Sequence, residues 1–246
     1  MLINGRRPVA EALRRGGVQR IYVARGVEGR GVAVILRLAE NARVPSEWVP
    51  RLTIDRMLGT TTHQGVVAEA DEIAYASEDA PGTLAAERGQ RLCLVALDGI
   101  TDPQNYGAIV RSAEVLGAHG VVTEQRRSAP LNATSMKVSA GAARHLPLVQ
   151  VTNLPRYLDA LKQRNVWIYG ADERGEDVTE ALDSQRDLCL VIGSEGDGLR
   201  RLVKETCDHL VRIPARGRIA SLNASVAAGV LIYEVWRARR RAQAAA

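Results

Sequence analysis

Phenylalanine is absent from this 246-residue chain, and aromatic residues make up only 4% of it. Aromatics interleaved with basic side chains, the usual platform for stacked bases, are therefore not visible, and a bound nucleic acid would be read through its backbone and shape. Cysteine is scarce: Cys93, Cys189 and Cys207 lie far apart with no C-x-x-C spacing and read as packed thiols in a reducing cytoplasm. No metal site is expected. No stretch approaches the roughly 20 apolar residues of a bilayer span, and the opening MLINGRRPVAEALRR lacks the apolar core of a secretion signal. A cytoplasmic protein that makes no use of membranes is the expectation. Neither G-x-G-x-x-G nor G-x-x-x-x-G-K-[ST] occurs, which disfavours a nicotinamide dehydrogenase or a nucleoside triphosphate site. Lysine is confined to Lys137, Lys162 and Lys204, so nearly all of the 33 basic residues are arginine.

The net charge of +5 and pI near 9.4 suit a polyanionic partner, or simply keep the protein soluble. Arginine adds a planar fork of donors that matches phosphate. With 46% hydrophobic residues, the chain can build one large or two modest cores. Residues 1–76 alternate short helices and strands: a helix near Arg7 to Arg15, the strand VQRIYVA, a helix over Val32 to Arg43 and the strand GVVAEA. The polar SEDAPGTLAAERGQ, with Pro81 and Gly82, reads as a linker over 77–90. Over 91–246 the strands RLCLVAL, GVV, LPLVQV, VWIYGA, LCLVIG and HLVRI alternate with helices, one of them capped by Asn153. That alternation predicts an α/β fold with a parallel sheet wrapped by helices. The last helix, from about Ser221 to Arg241, starts with small apolar residues suited to a subunit contact. It ends in RARRR, which either complements the helix dipole or touches RNA.

Ligands of parallel α/β sheets bind beyond the carboxyl ends of the strands, so the strand-to-helix turns carry the functional information. Three stand out. In DGITDPQNYGAIVRSAEVLG, Asn105 and Arg111 follow a buried strand, and Arg111 is expected in the second helical turn, where a cation opposes the macrodipole and gains no capping role. An anion passing over this turn would explain it. In LCLVIGSEGDGLRRLV, Gly193, Gly196 and Gly198 allow the backbone to bend and present its N–H and C=O groups closely, with Glu195 among them. In VRIPARGRIASLNASVAAG, Ile213 ends a strand, while Ser221, Leu222 and Asn223 open the last helix. Ser221 suits an N-cap, and Asn223, a poor helix former, suits a polar ligand.

Together these turns resemble the three signature motifs of the SPOUT-class, TrmH-like (SpoU) RNA ribose 2'-O-methyltransferases: N-x-G-A-x-x-R at Asn105–Arg111, G-S-E-G-x-G-L at Gly193–Leu199 and I-P-x(6)-S-L-N-x-S-V-A at Ile213–Ala227. RSAPLNATSMKVSAGAA, VTNL and HQGVVA look like the subgroup that methylates a guanosine in large-subunit ribosomal RNA. Tyr106, Ala215 and Ala224 depart from the residues that pattern favours. The resemblance implies a carboxyl-terminal parallel-sheet domain with a trefoil knot, preceded by a small L30e-like RNA-binding α/β domain. It implies S-adenosylmethionine held by the backbone at Gly193, Ile213 and Leu222, with Gly198, Ser221 and Asn223 nearby. It also implies a homodimer that brings Arg111 to the partner's cofactor. Arg111, Asn105, Glu195 and Asn223 are the candidate catalytic residues, and Arg6, Arg7, His63 and Gln64 the candidate RNA contacts. A tRNA or antibiotic-resistance rRNA methyltransferase, or a non-catalytic ribosome-assembly factor, are the competing readings.

Overall fold

Val66, Val67 and Ala68 are consecutive, all fully buried, and pack alternately into two different cores, as a strand covered on both faces requires. They belong to the first of two sheets in the computed structural model, which describes every residue except 1, 16–17, 71–74, 130, 218–220 and 246. That sheet is built from β1 (Leu2–Asn4), α1 (Arg6–Arg15), β2 (Val18–Ala24), α2 (Arg30–Asn41), β3 (Ser46–Val49), α3 (Arg51–Leu58) and β4 (Val66–Ala70), with strand order β1-β4-β2-β3. β4 runs antiparallel to β1 and β2, and β3 runs parallel to β2. Helices α1 and α2 cover one face through Val9, Leu13, Ile35 and Ala39, and α3 covers the other through Ile54.

The second part comprises α4 (Ala80–Glu87), β5 (Cys93–Asp98), α5 (Pro103–Val115), β6 (Gly120–Glu124), α6 (Ala133–Val138), β7 (Leu148–Val151), α7 (Leu154–Gln163), β8 (Trp167–Asp177), α8 (Val178–Ala181), β9 (Leu188–Gly193), α9 (Arg201–Thr206), β10 (His209–Arg212) and α10 (Ala224–Ala245). Its six strands run in the order β10-β8-β9-β5-β6-β7, every pair parallel. Residues of β5 and β9 are buried almost throughout, which is why they read as unbroken apolar runs. One face packs against α5 and α10 through Ile109, Val110, Ala113, Leu231 and Val235. The other packs against α4, α7 and α9 through Ala85, Leu158, Leu161 and Val203. From β5 the chain moves to β6 on one side, and from β9 to β10 on the other. The carboxyl ends of the adjacent β5 and β9 therefore form the switch point where such sheets bind ligands.

The structure differs from the sequence reading in four places. The 77–90 stretch, expected to be a linker, contains α4, because Pro81 and Ala85 are apolar at helical spacing and bury against the second sheet. A Cβ on Gly120 would lie 2.7 Å from Pro81 Cγ, so the proline ring packs directly onto the Gly120 backbone, as only glycine allows. Helix α5 starts at Pro103, capped by Asp102, which puts Arg111 in its third turn rather than its second; the macrodipole conflict largely disappears there. Asn223, not Ser221, caps α10. Finally, β1, β3 and α3 are short elements with no periodicity strong enough to announce them.

The two parts touch through α6 and the turn after it. Glu11 of α1 lies 2.8 Å from His145 Nε2, and a Cβ at Gly141 would strike the Glu11 side chain at 2.6 Å. On its other side α6 presses on α5: a Cβ at Gly107 would lie 2.6 Å from the Ser135 carbonyl oxygen.

Candidate active site at the sheet switch point

Asp102 opens α5 by accepting from the backbone N–H groups of Gln104 (3.0 Å) and Asn105 (3.3 Å), with Pro103 at the first helical position. This fixes Asn105 in the first turn, over the end of β5. After β9 the chain folds into a tight loop closed by reciprocal backbone bonds between Ser194 and Gly198 (3.2 and 3.0 Å). Gly196 and Gly198 take positive φ values of 88° and 65°, which glycine adopts without strain. At Gly193 a side chain is sterically excluded, since a Cβ would sit 2.3 Å from the Gly198 carbonyl carbon. The loop lifts Glu195 toward Asn105. At the start of α10, Asn223 Oδ1 accepts from the Ser225 N–H (3.0 Å), the Ser225 hydroxyl (2.6 Å) and the Val226 N–H (3.3 Å). That leaves its amide NH2 free to point away from the helix.

The three turns meet through their side chains. Asn105 Nδ2 donates to Glu195 Oε1 at 2.8 Å, Asn223 Nδ2 donates to the same oxygen and to Asn105 Oδ1 (3.0 Å), and the Ala224 N–H reaches Glu195 Oε1 at 3.3 Å. One carboxylate oxygen thus collects three donors from two helix starts, while Oε2 has no donor among the described residues. Residues 90 and 28 positions from Glu195 are organised around it. Because Asn105 and Asn223 are amides, the cluster combines donors, acceptors and one negative charge at a partly open surface, a set suited to orienting a hydroxyl-bearing ligand.

Beneath this cluster lies a second network that sequence reasoning missed. Asp98 and Glu124, the last residues of β5 and β6, are both buried. Asp98 accepts from the Arg200 N–H (2.7 Å) and from its Nε (2.5 Å). Arg200 Nη2 reaches Glu124 Oε2 at 2.7 Å, and Glu124 Oε1 accepts from the Leu154 N–H at 3.0 Å. Burial alone would lower the Arg200 pKa, but Asp98 and Glu124 outweigh it and hold the guanidinium above its ordinary value. The network pins the loop carrying Glu195 to the ends of two strands. The available signal was a carboxylate closing each of two apolar strand runs, LCLVALD and GVVTE.

The remaining candidates divide. Arg111 is exposed, has no partner among the described residues, and lies about 9 Å along α5 and about 120° around it from Asn105. One chain therefore does not bring it to the cluster. Gly193, Gly198, Ser221 and Leu222 surround the cluster in the chain, and Ile213 packs partly into the core just beyond β10. In the first sheet, Gln64 Oε1 accepts from the Arg6 N–H at 2.9 Å, so these two lie together, and Arg7 is exposed. His63 is not a surface contact. Its ring is fully buried, with Nε2 2.6 Å from Asp55 and Nδ1 accepting from the Gly65 N–H at 3.0 Å. With Nδ1 accepting and Nε2 facing Asp55, the ring braces the turn before β4. Tyr106 is buried in the α5 core, and burial pushes its hydroxyl pKa up. The RARRR cluster is largely committed to the protein itself: Arg237 pairs with Glu234, Arg240 covers the Trp236 ring at 5.0 Å, and Arg239 donates to four backbone carbonyls.

A parallel α/β sheet with a polar cluster at its switch point, joined to a smaller mixed sheet, defines the class by architecture: a ligand-binding domain with an accessory domain. Residues 93–233 match the SpoU rRNA Methylase family, and residues 2–76 match the RNA 2'-O ribose methyltransferase substrate binding family. YacO of Bacillus subtilis, named as a putative TrmH family tRNA/rRNA methyltransferase, is 40% identical over 96% of this chain and 95% of its own length. An uncharacterized tRNA/rRNA methyltransferase of Mycobacterium ulcerans is 44% identical over 97% of this chain and 77% of its own. The SpoU methyltransferase AviRb from Streptomyces viridochromogenes, solved in complex with AdoMet, superposes with a TM-score of 0.80 at 28% identity, covering 98% of this chain and 91% of AviRb. The chain belongs to the SpoU/TrmH family of RNA methyltransferases.

Proposed function

We propose that this protein transfers the methyl group of S-adenosylmethionine to the ribose 2'-hydroxyl of a guanosine in large-subunit ribosomal RNA. It works in the cytoplasm as a homodimer, with residues 1–76 holding substrate, 77–90 connecting and 91–246, knotted as the resemblance implies, carrying the reaction. The observation that carries this reading is the convergence of Asn105, Glu195 and Asn223 from three separate turns onto one switch point. The surroundings fit the cofactor. Nothing lies within 4 Å of a Cβ at Gly196 or Gly198, so the loop backbone is open to close approach. Leu222, 48% exposed, offers an apolar surface beside it. When bound, the cofactor supplies a methyl group on a sulfonium, already an activated leaving group.

The chain's own residues then have to position the acceptor and favour loss of its proton. Glu195, Asn105 and Asn223 hold the polar edge that orients the ribose. Arg111 stabilises the alkoxide charge that develops on the 2'-oxygen and grips the neighbouring phosphate; a guanidinium stays protonated and is not itself the base. Its distance from the cluster within one chain supports a role across a dimer. Val115 on α5 is 70% exposed, Val226 and Tyr233 on α10 are exposed as well, and the two helices approach each other where Gly229 faces Ser112, so both offer apolar side chains to a partner. The test is to incubate the protein with labelled S-adenosylmethionine and unmodified rRNA or tRNA, then map the modified ribose. Label at a guanosine 2'-oxygen of large-subunit rRNA is expected. Label on tRNA alone moves the substrate, and no cofactor binding by calorimetry leaves a non-catalytic RNA-binding factor. Arg111→Ala should keep cofactor affinity and lose transfer; unchanged turnover refutes its role.

A further inference from the structure

The turns at one end of the first sheet carry most of its unpaired positive charge. The registers Asn4 with Val67, Val23 with Val66 and Ala24 with Val49 bring the ends of β1, β2 and β3 and the start of β4 to the same side. The segments that emerge there, 5–7, 25–30, 50–51 and 63–65, contain Arg6, Arg7, Arg25, Arg30 and Arg51, against Glu28 as the only carboxylate. Arg7, Arg25, Arg30 and Arg51 are exposed. Helix α2 begins there with Gly29 as its cap and no acidic residue in its first turn, which adds to the positive potential. Gly26 and Gly29 keep this surface low: nothing lies within 4 Å of a Cβ at Gly26.

At the outer margin of this end stands Trp48, 44% exposed, on β3, the outermost strand with one free edge. The other two tryptophans are occupied. Trp167 stacks with His209 and lies under Arg186, and Trp236 packs with Tyr233 and Arg240. Trp48 has no ring or cation contact among the described residues. A partly exposed indole beside arginine-bearing turns matches what an unpaired nucleotide needs: an apolar face to stack on and cations for the flanking phosphates.

We infer that Trp48 is a stacking platform for an unpaired base of the substrate RNA, with the arginine-bearing turns beside it gripping the backbone. The inference rests on the RNA methyltransferase reading above and adds to it a specificity: RNA with a single-stranded loop, rather than continuous duplex. It departs from the expectation that recognition leans on RNA backbone and shape without base stacking.

The test compares the full-length protein and Trp48→Ala on two fluorescein-labelled probes of equal length, an RNA hairpin with an unpaired loop and a continuous duplex, while methyl transfer and light scattering are followed in parallel. Wild type should prefer the hairpin, and its tryptophan emission should be quenched on binding. Trp48→Ala should weaken hairpin binding about tenfold or more, leave duplex and cofactor affinity unchanged, and lose most of the quench. Trp48→Tyr should restore binding. Arg51→Ala should weaken both probes alike and lower the salt slope by about one. Equal hairpin affinity in Trp48→Ala, equal loss on both probes, or a change in oligomeric state overturns the stacking role. Methylation and hairpin binding that persist in Trp48→Ala sink this inference alone. A wild type that neither binds nor methylates RNA sinks the enzymatic reading with it.

Discussion

The two ends of the six-stranded sheet solve opposite problems. At the amino end of β5, Arg239 donates to the carbonyls of Arg91, Leu92, Ser184 and Arg186, the Leu92 N–H reaches Asp187 at 2.7 Å, and the buried His119 accepts from the Cys93 N–H at 3.0 Å. Backbone groups hold Arg239 and Asp187 here, and His119 adds one side-chain partner, Gln90 Oε1 at 3.0 Å from its Nε2. At the carboxyl end, Asn105, Glu195 and Asn223 hold one another instead, at a partly exposed surface. Bonds to backbone carbonyls leave no capacity for a ligand, whereas a cluster of side chains can exchange a partner for a substrate group. The lesson is that polar side chains at a strand end are informative about chemistry only when their partners are also side chains.

Four experiments would break or sharpen that contrast. Arg239→Met removes the clamp on four carbonyls and should cost about 4 kcal/mol in urea unfolding; a cost under about 1 kcal/mol would place the two ends on the same footing. Acidification comes next. Burial, reinforced by the charges of Arg239 and Arg88, pulls the His119 pKa down to about 4, so the unfolded chain takes up the proton first. Stability from this residue is complete above about pH 6.5 and is lost as the pH falls toward 4, roughly 2 kcal/mol at pH 5 relative to pH 8. His119→Asn should flatten that slope. Asn223→Ala deletes the α10 cap and should cost about 1 kcal/mol while abolishing methyl transfer. Glu195→Gln should change stability by less than about 0.5 kcal/mol and still depress transfer strongly; full activity would remove Glu195 from the site.

Much of the carboxyl-terminal architecture was legible because β5 and β9 are apolar without interruption and the turns after them depart from ordinary loop composition. The cluster itself was legible as three motifs, but not as a set of bonds, since the partners of Glu195 are far away along the chain. The Asp98–Arg200–Glu124 network was hidden for the same reason: Arg200 meets Asp98 across 102 residues and Glu124 across 76. Arg111 was misplaced by one turn because α5 already starts at Pro103, capped by Asp102. His63 looked like a loop contact because nothing local reveals its bond to Asp55, eight residues before it in α3. Trp48 was invisible in the composition; only its position on an outer strand, beside turns that bring distant arginines together, makes it notable.

The wedge formed by α6 ties these regions together. With backbone nearly touching backbone at Gly107 and Ser135, and Glu11 seated against Gly141 and His145, the helix that presents Asn105 and the smaller sheet pack against the same segment. Under the function proposed above, RNA held on the small sheet and a ribose oriented at Asn105 share this path of contacts, so docking of the one is mechanically linked to alignment of the other.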